Sequence, residues 1–307
     1  MTPHEDAPPP ALRSVGATRT DVEAALRAGN AWRPRRGVYV AAATAPSSAA
    51  LRRREEALAH VRAVAEVLTT RYWFSHTSAA LLWGCWTWRL DPVPHVTQLG
   101  RPSGAGCQDA TLARHRSDVP AADRAERHGL PVTSLERTVV DCARLLPVPQ
   151  GLVVADSALR LGARRAEIER RLEAVVRGRG VRRAREVLAT MDGRAESPGE
   201  TLLRHVVVAA GLPPFVPQHE VVTWRGTVRL DGGWPQSLVG VEFDAAVKYS
   251  GGSFGDPRAR LAAEKERHDA LTEAGWRIVR VTWADLRDPE RVVARIAALL
   301  RRTTASR

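Results

Sequence analysis

The last third of the chain alternates helix and strand signals in an order that leaves few folds open. Ser197-Pro198-Gly199-Glu200 has the capping-box spacing with proline at the first helical position, so a helix should run from there to about residue 210. After Gly211-Leu-Pro-Pro come three strand-like runs, 219–224, 227–230 leading into Asp231, and 238–244. Asp256-Pro257 opens a second helix that Gly275 stops, 277–283 reads as a fourth strand, and a final helix covers about 289–300. The order αβββαβα belongs to an α/β domain whose small mixed sheet lies between helices.

That order places acids at strand ends. Asp231 terminates one strand, and Glu242 and Asp244 stand at i and i+2 on the next, so they point the same way, about 6.5 Å apart along the strand. If Asp231 lies on a neighbouring strand, three carboxylates converge. Crowded carboxylates repel one another, and a hard divalent cation such as Mg²⁺ or Mn²⁺ is a common resolution. The alternative is that strand-end acids are simply exposed, and Glu200 has a structural task available as a capping residue.

A length of 307 residues suits two or three domains. No apolar run approaches the ~18 residues of a membrane span. The N-terminal Met-Thr-Pro-His-Glu-Asp lacks the basic-then-apolar pattern of a secretory signal, so a cytoplasmic location is expected. Cys85, Cys107 and Cys142 are too widely spaced for a CxxC metal site and read as small core residues. Charge points to a polyanionic partner, because 46 basic against 34 acidic residues leave +12. Residues 1–195 hold +10 of it. Only two of the basic residues are lysines, Lys248 and Lys265, which marks them for chemistry that a guanidinium cannot do.

Residues 1–10 are Pro-rich and expected to be disordered. Thr20-Asp-Val-Glu23 fits a capping box for a short helix over 21–28. Ala31-Trp-Arg-Pro-Arg-Arg-Gly-Val-Tyr-Val then reads as strand, basic turn and strand, with Arg33, Arg35 and Arg36 at the turn. Two short helices and such a hairpin over 11–45 make a winged helix-turn-helix, and a small helical cap with a solvated arginine cluster is the alternative. An α+β middle domain over 46–192 follows. It starts with an amphipathic helix over 51–70, and Ser75-His76-Thr-Ser caps the next turn, with His76 read as a capping neighbour. Strands are expected over 93–99 and 110–114, and Thr133-Ser-Leu-Glu136 should cap a helix through Leu145. Ten arginines within 160–185 lie on helices that are either a solvated face or a phosphate track.

Two resemblances attach to these residues. Glu200, Asp231-Gly-Gly-Trp-Pro, Val241-Glu-Phe-Asp, Val247-Lys-Tyr, Glu264-Lys-Glu-Arg-His-Asp-Ala-Leu and Gly275-Trp-Arg-Ile-Val-Arg-Val-Thr-Trp-Ala-Asp-Leu resemble a Vsr-like endonuclease-fold family of unknown function, a branch of the PD-(D/E)XK nucleases. The resemblance implies a restriction-endonuclease-like domain over 193–303, with Asp231 and Glu242 as metal ligands and Glu200 as an auxiliary acid. The superfamily lysine two residues after the glutamate is replaced by Asp244, which can itself ligate a metal, and Lys248 lies six after Glu242. Thr18 through Arg36-Gly-Val-Tyr-Val, Phe74-Ser-His-Thr-Ser-Ala-Ala-Leu-Leu-Trp-Gly and Pro131-Val-Thr-Ser-Leu-Glu-Arg-Thr-Val-Val-Asp-Cys-Ala are similar to AbiEi-type antitoxins, which implies operator DNA and a toxin as partners. The expectation is a DNA-binding protein with a Mg²⁺-dependent endonuclease domain, carrying Glu200, Asp231, Glu242, Asp244 and Lys248. The alternative is a non-catalytic antitoxin or transcriptional repressor.

Overall fold

The computed structural model describes residues 7–12, 16–42, 48–100, 109–175, 178–244 and 257–304. The chain forms two compact units, Met1–Met191 and Asp192–Arg307. Lys248 and Cys107 lie outside the described residues.

In the first unit, helix α1 (Arg19–Arg27) leads into a hairpin of β1 (Ala31–Arg35) and β2 (Val38–Ala41). Thr18, not Thr20, is the N-cap. Its hydroxyl accepts from the Asp21 amide while the Asp21 carboxylate accepts from the Thr18 amide, so the box closes two residues earlier than expected. Among the described residues one α-helix precedes the hairpin, where two were expected. Ala11 instead bridges Val40 in extended conformation, and the prolines before it remove the amide donors that a helix needs. Residues 7–10 also depart from the expected disorder, because Pro8 is buried and the Pro9 carbonyl accepts from Arg62 Nε at 3.4 Å.

The hairpin packs on α2 (Ala49–Val67), with Trp32 edge-on to His60 and Ala11, Val38 and Ala63 sharing a small core. A five-stranded mixed sheet follows, in the order β5 (Ala113–Arg116), β4 (His95–Gln98), β3 (Trp73–Phe74), β7 (Leu130–Thr133) and β6 (Arg124–Arg127). The inner face of α2 meets this sheet through Leu58, Val61 and Val64 against Phe74, Val96 and Val132. The sequence reading missed β3, β6 and β7, each only two to four residues long. Helices α3 (His76–Leu82), α4 (Leu135–Leu145), α5 (Val148–Arg160), α6 (Arg165–Glu173) and α7 (Val181–Thr190) complete the unit, and α4 to α7 gather Val139, Leu152, Ile168 and Val187 into a second core. Cys85 and Cys142 are buried there, as small core residues should be.

The second unit runs α8 (Pro198–Ala209), β8 (Val216–Thr223), β9 (Gly226–Trp234), β10 (Val239–Asp244), α9 (Pro257–Glu273), β11 (Arg277–Thr282) and α10 (Pro289–Thr304), which is the expected element order. Its sheet is β11-β10-β9-β8, with β10 and β11 parallel and the other pairs antiparallel. The central β10 is buried over Val239-Gly-Val-Glu because helices cover both faces of its parallel pair. On one face Leu203 and Val207 of α8 and Val292 and Ile296 of α10 meet Val239, Val241, Val279 and Val281. On the other, Leu271 of α9 packs with Leu230 and Trp276.

Candidate functional site

The carboxylates of the second unit split into two groups. The N-cap hydroxyl of Ser197 donates to Glu200 Oε1 at 2.8 Å and accepts from the Glu200 amide, so the structural role of Glu200 is filled. Its Oε2 accepts from the Glu196 amide and from Gln218 Nε2, both at 2.8 Å. Burial raises the Glu200 carboxyl, against the Glu196 hydrogen bond, and the charge of Asp231 raises it further. Gln218 itself is in the left-handed region (φ +53°), where the β8–β9 register skips from Pro217–Gly232 to His219–Leu230. A non-glycine residue held there is a strained feature. Here the break turns its amide towards Glu200. Asp231 Oδ2 accepts from the Phe243 amide at 2.6 Å.

Glu242 belongs to the other group. Its Oε1 lies 2.6 Å from Arg267 Nη2 of α9, off the line of an N–H, and Oε2 lies 3.7 Å from Arg280 Nε of β11. Arg280 also pairs with Glu264. Val241 and Phe243 face the α8 side, and Glu242 points to the α9 side among these arginines. Asp244 is half-buried at the strand end. Among the described residues, Asp231, Glu242 and Asp244 do not form a group whose oxygens lie within 4.8 Å of one another, and the cation that Glu242 meets is a guanidinium.

The basic hairpin is also uneven. Arg33 and Arg36 are exposed. Arg35 is ion-paired with Asp109 and donates to Thr111 Oγ1 at 3.1 Å, which ties the hairpin to the loop before β5. Of the arginine run over 160–185, Arg171 is held by Asp123 and Glu167, Arg165 donates to the carbonyls of Leu188 and Met191, and Arg183 to those of Leu145 and Leu146. Arg177 lies outside the described residues.

The feature that sequence reasoning missed is in the first unit. His76, His95 and His115 bring their ring nitrogens together within 4.8 Å, although no motif spacing links them. Ser75, expected to cap α3, makes no side-chain cap bond and instead holds His76.

Residues 76–190 match the family described as the AbiEi antitoxin C-terminal domain. Two curated relatives are uncharacterized proteins of Mycobacterium tuberculosis, from strains CDC 1551 / Oshkosh and ATCC 25618 / H37Rv. Each is 36% identical over 168 residues, which is 54% of this chain and 60% of the relative. The chain thus spans about 60% of the length of the curated relatives it matches. No solved structure matches it. Among the described residues no helix is long and apolar enough to cross a membrane.

Proposed function

We propose that this protein is a non-catalytic DNA-binding regulator of the antitoxin type, with operator DNA and a toxin as its partners. The match of residues 76–190 to the AbiEi antitoxin C-terminal domain carries the reading. It is supported by the exposed Arg33 and Arg36 on a hairpin ahead of that segment and by the basic excess of residues 1–195. The ion pairs of Glu242 fit it as well, since a carboxylate neutralised by Arg267 is not poised to hold a metal. The test is binding of the full chain to duplex DNA from its own upstream region and to unrelated duplex. Preference for the former by at least ~10³ is the mark of a specific regulator. Equal affinity for both would refute it.

A second reading keeps one observation in its favour. Glu200 and Asp231 are close enough for the charge of one to raise the other's carboxyl, on a unit with the element order αβββαβα. In that reading the unit is a divalent-metal endonuclease, and Glu242 exchanges Arg267 and Arg280 for a cation when DNA arrives. Incubation of the full chain with plasmid and Mg²⁺ or Mn²⁺ separates the two, with chelator-sensitive nicking expected only of the nuclease.

A further inference from the structure

Three imidazoles meet where α3, β4 and β5 come together. The parallel β4–β5 register sets Thr97 opposite His115, so His95 and His115 share one face, two positions apart. His95 Nδ1 and His115 Nε2 are 2.9 Å apart and share a proton in a hydrogen bond. His76, the first residue of α3, stacks on His115 with ring centroids 3.7 Å apart. Its backbone is in the left-handed region (φ +52°), a conformation costing about 1–3 kcal/mol for a non-glycine residue, which the surroundings must impose.

We propose that His76, His95 and His115 form a site for one divalent transition metal of the zinc class, with the fourth position open to water. An all-imidazole donor set suits Zn²⁺ and its first-row neighbours rather than Mg²⁺ or Ca²⁺. Bonds of about 2.0–2.1 Å in a tetrahedron set neighbouring nitrogens about 3.3 Å apart, so an ion replacing the shared proton opens the His95–His115 pair by less than half an ångström. His76 completes the set, with one ring nitrogen within 4.8 Å of those of His95 and His115. The partner that would hold its tautomer is in place: Ser75 Oγ lies 2.9 Å from His76 Nδ1 and itself accepts from Thr97 Oγ1 at 2.8 Å. A cavity of about 260 Å³ opens beside His95, between Thr77, Asp91 and Gln150, with room for a water ligand.

Ligation needs neutral imidazole. Burial, then the charge of His115, pushes His95 down to about 4, with Asp91 opposing. Burial also lowers His115, and burial, then the charges of His115, His95, Arg137 and Arg144, lower His76. Asp91 is the nearby carboxylate that offsets the charge of a bound dication.

The test titrates Co²⁺, and separately Zn²⁺, into the metal-free full chain. One equivalent should bind per chain, Co²⁺ should give the visible spectrum of a four-coordinate site of three nitrogens and a water, and Zn²⁺ should displace it. The His95→Ala/His115→Ala variant should lose the spectrum, while His128→Ala, which removes an exposed histidine, should keep it. Ser75→Ala leaves all three rings and should weaken the metal about 10–100-fold, which keeps the proposal testable if the double variant does not fold. No saturable Co²⁺ spectrum in the wild type would overturn the site. So would equal binding by wild type, the double variant and Ser75→Ala.

Discussion

The hairpin arginines give the sharpest expectation, because three residues that look equivalent in the sequence differ in structure. Arg33 and Arg36 are exposed, whereas the Arg35 side chain is 21% exposed and committed to Asp109 and Thr111. Each phosphate contact contributes about −0.9 to the slope of log affinity against log salt. Replacing Arg33 and Arg36 together by alanine should therefore flatten the slope by about 1.8, where three free arginines would give up to about 2.7. Between 50 and 200 mM salt that difference shrinks the affinity gap between wild type and variant about 12-fold. Arg35→Ala should leave the slope alone and instead lower stability by up to about 1 kcal/mol, the range of a partly exposed ion pair. Fluorescence anisotropy on a labelled duplex, over a salt series, reads the slopes, and thermal melting reads the stability. A slope change for Arg35→Ala equal to that of Arg33→Ala would refute the assignment. An unchanged slope in the double variant would remove the hairpin from the DNA interface.

Four further expectations follow from the packing. Arg137 donates to Asp141 and Asp123, both buried, so Arg137→Met should cost about 3–5 kcal/mol in denaturant titration, and adding Asp141→Asn should recover part by removing the orphaned charge. A Cβ at Gly199 would clash with the Phe243 ring, so Gly199→Ala should lower stability by about 1–3 kcal/mol unless that ring swings aside, a shift that near-ultraviolet dichroism would report. Because the Glu200 carboxyl is raised in the fold, the folded state holds that proton more tightly, and its contribution is full below the ordinary glutamate range and lost as pH rises through the raised value. Glu200→Gln, permanently neutral, should therefore lose less stability than wild type over the same rise in pH in urea melts. Exposed Arg182 and Arg185 stand one turn apart on α7, and their joint replacement by alanine should flatten the salt slope by up to about 1.8 if that face tracks phosphates, and by nothing if it is only solvated.

Elements with their own local signals were legible. Ser197 caps α8 as the spacing indicated, and the αβββαβα order of the second unit was readable because proline, glycine and acid mark each boundary. Where two local solutions competed, the finer choice failed. Thr18 and Thr20 are both capable caps, and the chain uses Thr18 because Asp21 returns the bond while Glu23 pairs with Arg19. Ser134 rather than Thr133 caps α4 for a similar reason: the Thr133 hydroxyl is buried and bonded to that of Thr138. The short strands β3, β6 and β7 were missed since two to four residues carry no usable period, and their pairing is set by distant partners. The histidine cluster was illegible for the same reason, its members being joined only by strand register and the entry of α3.

The basic excess shows how a sequence count overstates a binding face. Arginine earns its place in this fold partly as an internal fastener: a planar fork closes helix ends and carboxylates together. Arg54 donates to the carbonyls of Leu81, in the last turn of α3, and of Cys85 just beyond it, Arg165 and Arg183 close the ends of α7 and α4, and Arg137 and Arg171 converge on Asp123. These guanidiniums keep their charge, so they still raise the potential felt by a polyanion at a distance, yet they cannot turn to a phosphate without releasing a carbonyl or a carboxylate. Long-range attraction should thus follow the full excess of residues 1–195, while the contacts that release counterions are confined to the exposed arginines, such as Arg33 and Arg36. The two quantities separate experimentally, because the association rate reports the first and the equilibrium salt slope the second.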